Sequence, residues 1–420
     1  MDLRDIHVCI SAYACDPTRG SEAGIGWNVV REVASRHHVW AITRRKNQPA
    51  IAAALDRTPL PKLRMVYVDL PTPVLALKRG QVGIEGYYRL WHFWSRRIVR
   101  QLHETVRLDV TQHVTFGRYW GPTSLAHVSI PFIWGPVGGG ESAPAPFLED
   151  FGWRGRASEF LRDYARRRGE SAASVRAAVG HSALALAVTA ETKARLLQLG
   201  ARRVELFSAM GLDRDDYENL STTPAPDAAT VRFISIGRLL HWKGFHLGLK
   251  AFAAAALPRA EYWIIGDGPE RRALLSLVEK LGLDTRVRFL GSISRTDTLE
   301  RLKAAHILVH PSLHDSGGWV CLEAMASAKP VICLDLGGPA EQVTSETGVK
   351  VTARDPNQAV ADMARGMTEL HCNAELRHTM GQLGRDRVRR EYLWERKADR
   401  LDAFYASVLE SSEASLPLAQ

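Results

Sequence analysis

Val231-Arg232-Phe233-Ile234-Ser235-Ile236-Gly237, then Arg238-Leu239-Leu240-His241-Trp242-Lys243-Gly244 and a helical stretch over about 245–257, decide the fold. An apolar run of strand length, a loop bounded by glycines and a helix make one β-loop-α unit, and that unit recurs downstream. A strand over 261–265 leads to a helix over 270–281, one over 287–290 to 296–305, and one over 307–310 to 320–327. A further strand reads over 330–334, and from Pro356 the chain is almost wholly helical, with Val360, Met363 and Met367 at core-facing spacing. Strands alternating with helices imply a parallel sheet covered on both faces.

The same alternation opens the chain. An apolar run over 6–13 is followed by a turn-rich loop over 14–24, a helix over 26–35, and strands over 39–43, 63–68, 110–116, 131–134 and 184–189. The stretch 206–226 breaks the pattern with Gly211, the acids Asp213, Asp215, Asp216 and Glu218, and Ser, Thr and Pro, and reads as a hinge. The expectation is an α/β chain of two doubly wound parallel-sheet domains, 1–210 and 211–395, with a C-terminal helix over about 396–420 packing back onto the first. A length of 420 residues agrees with two domains at about 100–200 residues each.

Composition narrows the class. At 45% apolar and 24% charged the chain is not a largely disordered one. Its five cysteines (Cys9, Cys15, Cys321, Cys333, Cys372) are scattered without a Cys-x-x-Cys pair, which argues against a disulfide framework or zinc ribbon and fits a reducing compartment. The charged start Met1-Asp2-Leu3-Arg4-Asp5 lacks a signal-peptide pattern, and no apolar run approaches the roughly 20 residues of a membrane span. A soluble or peripheral cytoplasmic protein is expected. The net charge of +9 is uneven: residues 1–210 hold 29 Lys and Arg against 18 Asp and Glu, residues 211–420 hold 26 against 28. Tyr87, Trp91, Trp94, Ile98 and Leu102 share a helical face, with Arg89, Arg96 and Arg100 around it. Trp153, Phe160 and Tyr164 interleave with Arg154, Arg156, Arg162 and Arg166-Arg167-Arg168. Aromatic and basic residues together suit an anionic membrane interface, whereas a core-facing helix with a solvated basic face is the plainer alternative. No nucleic-acid-binding motif accompanies the charge.

In doubly wound sheets ligands sit at the carboxyl ends of strands. Arg238 stands at a strand end and Lys243 at the next helix N-terminus, so both cations and the helix dipole converge on an anion. A departing diphosphate is such an anion, and fixed cations stabilise it without a metal. The loop after 307–310 reads Pro311-Ser312-Leu313-His314-Asp315-Ser316-Gly317-Gly318-Trp319-Val320-Cys321-Leu322-Glu323. Its glycines allow backbone amides to approach a ligand, and its carboxylates suit neighbouring sugar hydroxyls.

Arg238 with Lys243, Asp315 and Glu323 separated by seven residues, and Ala324-Met325-Ala326-Ser327-Ala328-Lys329-Pro330-Val331 resemble the retaining glycosyltransferase family 4. The resemblance covers about 231–351, including Gly266-Asp267-Gly268-Pro269-Glu270. It reaches the first half through Gly20-Ser21-Glu22-Ala23-Gly24 and Trp134-Gly135-Pro136-Val137-Gly138-Gly139-Gly140-Glu141. It implies the GT-B fold, two Rossmann-like domains facing across a cleft. It assigns Arg238 and Lys243 to the donor diphosphate, Glu323 to the nucleotide ribose and Asp315 to the transferred sugar. The amides around Ser316, Gly317 and Gly318 assist, and the loop carrying Gly20 covers the donor phosphates from the acceptor side. His113, near the end of a buried strand, falls where the family commonly places a histidine close to the sugar. Read alone, His113 is a satisfied core histidine.

Asp315 departs from the family's usual Glu and shortens the arm by one methylene, roughly 1.5 Å, enough to weaken catalysis unless the site is rebuilt around it. Gln112-His113 departs from its His-x-His pattern. Gly24-Ile25-Gly26 and Gly266-Asp267-Gly268 lack a third small residue, so neither is a dinucleotide fingerprint. Asp213-Arg214-Asp215 has the spacing of a metal-binding pair but lies in the expected hinge, and no metal or other cofactor is expected beyond the nucleotide-sugar co-substrate. The expected activity is a metal-independent, retaining transfer of a hexose from a nucleotide-diphosphate sugar to a glycan or lipid-linked acceptor. Its setting is cell-surface polysaccharide assembly at the inner face of the membrane. A soluble transferase acting on a free sugar or glucan, and a non-catalytic sugar-nucleotide-binding protein, are the rivals. A nicotinamide dehydrogenase fails on the missing fingerprint.

Overall fold

A computed structural model describes residues 5–71, 84–222 and 229–413. The chain forms two compact units, the first drawn from Met1–Gly140, Tyr164–Ala209 and Trp394–Gln420, the second from Glu141–Asp163 and Met210–Leu393.

The first unit holds a seven-stranded sheet of β1 (His7–Ser11), β2 (His38–Thr43), β3 (Leu63–Tyr67), β4 (Val110–His113), β5 (Phe132–Val137), β6 (Leu184–Ala187) and β7 (Val204–Leu206). The strands run in the order β3-β2-β1-β4-β5-β6-β7, every pair parallel. The second unit holds β8 (Val231–Ile236), β9 (Ala260–Ile265), β10 (Val287–Gly291), β11 (Ile307–His310), β12 (Val331–Leu334) and β13 (Gly348–Val351), ordered β10-β9-β8-β11-β12-β13 and also parallel. In each sheet the order reverses once, between β1 and β4 and between β8 and β11. Those reversals open the crevices where α/β sheets receive ligands.

The apolar runs form strands because both sheet faces are covered. In β8, Phe233 packs into one core cluster and Ile234 into another on the opposite face; in β11, Ile307 and Val309 join the first and Leu308 the second. Truncating such a fully buried residue, Ile234 or Leu308, to Ala costs about 2–5 kcal/mol.

Several expected boundaries are corrected. The opening helix is Ser21–Ala34, so the loop ends at Gly20, and Gly24 and Gly26 lie inside the helix. A Cβ on Gly26 would stand 2.0 Å from the Ala14 carbonyl oxygen, so this glycine marks close helix–loop packing and not a turn. The expected hinge begins at the last residue of β7 and contains a helix, Arg214–Ser221, whose Tyr217 and Leu220 are buried. Asp215 and Asp216 form its acidic first turn, favourable to the helix dipole. Residues 223–226 of that stretch lie outside the described residues. Strands β7 and β13 were not expected; both are short.

Residues 141–163 belong to the second unit, although the expected first domain ran unbroken to 210. Trp153 and Phe160 therefore sit in the second unit. On helix Ile84–Val106, Tyr87 and Trp91 are buried, Ile98 and Leu102 pack against the core, but Trp94 is 49% exposed beside Phe93 at 74% and Leu90 at 50%. Trp94 thus lies on the solvent face and not with the core stripe. Among the described residues no helix is long and apolar enough to cross a membrane.

Candidate active site

At the crevice between β8 and β11, the loop after β8 tightens into a short turn, His241–Lys243, and turns through Gly244 into helix Phe245–Ala255. Gly244 has φ of +67°, and a Cβ there would fall 1.9 Å from the Pro311 carbonyl oxygen, so glycine lets this turn press against the loop after β11. That contact carries Lys243 to Asp315: the Lys243 ammonium donates to Asp315 Oδ2. His310 Nε2, on the last residue of β11, lies 3.2 Å from the same oxygen, while the Gly317 and Gly318 amides donate to Oδ1 at 3.1 and 3.4 Å. Burial pushes the Asp315 carboxyl up, but the His310 hydrogen bond and the Lys243 charge outweigh it and hold the group well below the usual carboxylate range. Burial conversely lowers His310, against the pull of Asp315.

The structure therefore brings Lys243, Asp315, Gly317 and Gly318 together, and adds His310. It also changes what the amides do: in this state they hold Asp315. Ser316 Oγ donates to Glu141 Oε2 at 2.7 Å. Glu323, 5% exposed in helix Trp319–Ala326, accepts from Arg295 Nη1 at 2.7 Å. Burial raises its carboxyl, and the Arg295 guanidinium opposes the rise. Arg238 is exposed just beyond β8, and its guanidinium makes no hydrogen bond or ion pair among the described residues.

Gly20 and His113 belong to the first unit. Gly20 is exposed at the N-terminus of helix Ser21–Ala34. His113 ends β4, opposite Ser11 and Trp134, and is buried; its Nδ1 has no hydrogen-bond partner, and burial lowers its pKa to about 4, so it is neutral at physiological pH.

Residues that sequence reasoning missed brace the second crevice. Glu159 Oε1 bridges His241 Nε2 at 2.9 Å and His314 Nε2 at 3.0 Å, and the Trp242 ring stacks on His314. Burial opposes the Glu159 charge, yet the two imidazoles hold its pKa down to about 2. Asp150 takes His246 and Lys250 at 3.5 and 3.3 Å. Arg295 and His310 were detectable in principle, since each sits at or just past the carboxyl end of a strand. Glu159 was not, because its partners lie 82 and 155 residues away. Among the described residues no group of three or more His, Cys, Asp and Glu is arranged to hold a metal ion.

Comparison with known proteins adds an independent line. Residues 220–387, which include Arg238, Lys243, Asp315 and Glu323, match the family model of glycosyl transferases group 1. The chain is 34% identical over 165 residues to the lipopolysaccharide core biosynthesis glycosyltransferase LpsE of Rhizobium meliloti, covering 39% of this chain and 45% of that protein. It thus spans less than half the length of that relative. It is 24% identical over 373 residues to 2-deoxystreptamine N-acetyl-D-glucosaminyltransferase of Streptomyces fradiae, covering 82% of this chain and 81% of the other. Among solved structures, Anabaena Alr3699/HepE in complex with UDP and glucose is similar with a TM-score of 0.61 at 17% identity, over 96% of this chain and all of that one. The two parallel-sheet units have the GT-B fold.

Proposed function

We propose that the protein is a retaining glycosyltransferase of family 4 that moves a hexose from a nucleotide-diphosphate sugar to a glycan or lipid-linked acceptor in cell-surface polysaccharide biosynthesis. The observation that carries this is the Lys243–Asp315–His310 cluster at the β8/β11 crevice, inside the segment that matches glycosyl transferases group 1. The polysaccharide setting is supported by the likeness to a lipopolysaccharide core transferase, and the donor class by a structural neighbour that binds UDP and glucose.

In this reading Lys243 and Arg238 take the diphosphate and supply the positive charge that a divalent ion would otherwise bring to the leaving group. Glu323, oriented by Arg295, accepts from the ribose hydroxyls. Asp315 and the Ser316–Gly318 segment take the transferred sugar. Lys243 exchanges Asp315 for the diphosphate when the donor arrives, and the Gly317 and Gly318 amides become available with it. The acceptor oxygen bonds to the anomeric carbon on the face the diphosphate leaves, and its proton passes to a phosphate oxygen. The exposed Phe93, Trp94 and Leu90, flanked by Arg89, Arg97 and Arg100 on one helix, support peripheral contact with an anionic membrane at the cytoplasmic face.

A radiolabelled nucleotide-sugar panel tests the activity: label is expected in acceptor or, slowly, in free sugar. Asp315 saturated by four donors favours one rival, a non-catalytic sugar-nucleotide-binding protein. Tight donor binding with no turnover of any donor would select that rival.

A further inference from the structure

Lys243 and Asp315 are carried by different loops of the second unit. Lys243 reaches its partner on a flexible four-carbon stem, so their bond alone fixes the spacing of the two loops poorly. The backbone supplies one tie, the Leu313 amide donating to the Trp242 carbonyl at 2.8 Å. A second tie comes from a third element of the same unit. Glu159, on helix Trp153–Glu170, accepts through the single oxygen Oε1 from His241 Nε2 at 2.9 Å and from His314 Nε2 at 3.0 Å. His241 stands two residues before Lys243, and His314 immediately before Asp315. One carboxylate oxygen therefore grips both loops beside the side chains they present.

The local sequence is shaped for this grip. Gly155 and Glu159 lie one helical turn apart on the same face, and both meet His241. A Cβ on Gly155 would come within 3.1 Å of the imidazole. Glycine weakens a helix interior, and here it admits the ring that Glu159 holds. Phe151 meets the same ring edge-on, with centroids 4.8 Å apart, and the Trp242 indole stacks on His314 at 5.2 Å and 17°. Glu159 and His314 are buried and His241 is nearly so. Despite burial Glu159 is ionised at physiological pH, and an ionised carboxylate only accepts, so each imidazole offers it an Nε2 proton.

We propose that Glu159 is a positioning residue of the donor site: acting through His241 and His314, it sets the spacing of the two loops and so aims the Lys243 ammonium at the diphosphate. The inference rests on the donor-site reading above, and in it Glu159 touches neither the donor nor the reacting atoms.

Glu159→Gln and Glu159→Leu separate alignment from stability. Both lose the buried charge, but Gln keeps a carbonyl oxygen that accepts from both imidazoles, and Leu keeps none. Calorimetric titration with uridine and guanosine diphosphates and turnover of radiolabelled nucleotide sugars are measured on the full chain, per folded molecule from urea midpoints. Glu159→Leu should bind the diphosphate about tenfold more weakly, the loss of one aligned charge-assisted contact. Its kcat should fall about 100-fold, the scale of a displacement of about 1 Å. Glu159→Gln should retain both within about threefold although it too is destabilised, because the hydrogen bonds that align the loops persist.

A role confined to stability predicts parental affinity and kcat in both variants, and that result would overturn the proposal, as would a Gln variant as impaired as the Leu variant. Should Glu159→Leu not fold, His314→Leu, which leaves His241 on the carboxylate, carries the test. Its kcat should fall about tenfold, and parental kcat would overturn the proposal equally. If the parent binds a diphosphate but turns over no donor, the transfer reading fails and the affinities alone decide for or against Glu159. If the parent transfers and Glu159→Leu matches it, the positioning role fails and the transfer reading stands. A parent that neither binds nor transfers overturns both.

Discussion

The two sheets reverse strand order in the same way, yet their crevices are furnished oppositely. Beside the first crevice, His113 and His92 are buried and neutral, their rings 5.5 Å apart, and the adjoining cavity is lined by aromatic rings and guanidinium groups. At the second, charges are matched almost to saturation: Lys243 and His310 on Asp315, Arg295 on Glu323, His241 and His314 on Glu159. Shared topology therefore fixes where ligands meet each sheet, and the side chains decide which ligand. On the proposed function, the saturated crevice exchanges partners when a diphosphate arrives.

The largest effect should come from Lys243→Ala, which removes a cation from the leaving group. Donor turnover should fall about 100- to 1,000-fold by analogy with loss of one oxyanion donor. Stability should drop by only about 1–2 kcal/mol, because Asp315 keeps His310 and two amides. Steady-state rates beside urea midpoints separate the two.

Acid should unfold the two regions through different groups. Glu159 has a pKa near 2 in the fold against 4.5 unfolded, so its contribution is complete above pH 4.5 and is lost as pH falls toward 2. A shift of that size corresponds to about 3 kcal/mol, and Glu159→Gln should be less stable than the parent at pH 7 but nearly equal to it at pH 2. His113 titrates the other way round for its type: about 4 in the fold against 6.5 unfolded. The unfolded chain takes up a proton that the fold refuses, so stability falls between pH 6.5 and 4, and His113→Phe should flatten that slope. Urea midpoints across pH, parent against variant, measure both. If both variants shift the same pH window, the contrast between the crevices is wrong.

Smaller effects should follow at the rim. Glu323→Gln weakens a charge-assisted contact to the ribose and should raise donor KM about tenfold with kcat little changed. Phe93→Ser with Trp94→Ser should reduce sedimentation with anionic vesicles while leaving the urea midpoint within about 0.5 kcal/mol, since both side chains face solvent.

Much of the second unit was legible because its signals are local. The β8 run alternates between two cores, Lys243 sits one residue before a glycine that only a tight turn needs, and Gly317 and Gly318 lie between Asp315 and Glu323. The meeting of Lys243 and Asp315 at one site was implied by the family resemblance, and the adjacency of β8 and β11 brings their loops together. What escaped depends on distance in sequence or on ambiguous residues. Gly24 was expected to end the opening loop, but it lies inside helix Ser21–Ala34, which uses Gly26 to press against Ala14. The acids near Asp213 looked like a linker, but they form the first turn of a helix held by buried Tyr217 and Leu220. The placement of 141–163 in the second unit follows from Glu141, Asp150 and Glu159 finding cationic, histidine or hydroxyl partners there, which no local pattern reveals.

The central claim, that the β8/β11 crevice clasps the diphosphate of a nucleotide sugar through Lys243, is tested most directly by calorimetric titration of uridine and guanosine diphosphates into the full chain and into Lys243→Ala. Saturable binding of at least one nucleotide, weakened tenfold or more in the variant, is the predicted result. Binding of equal strength to both proteins, or none to either, would contradict it.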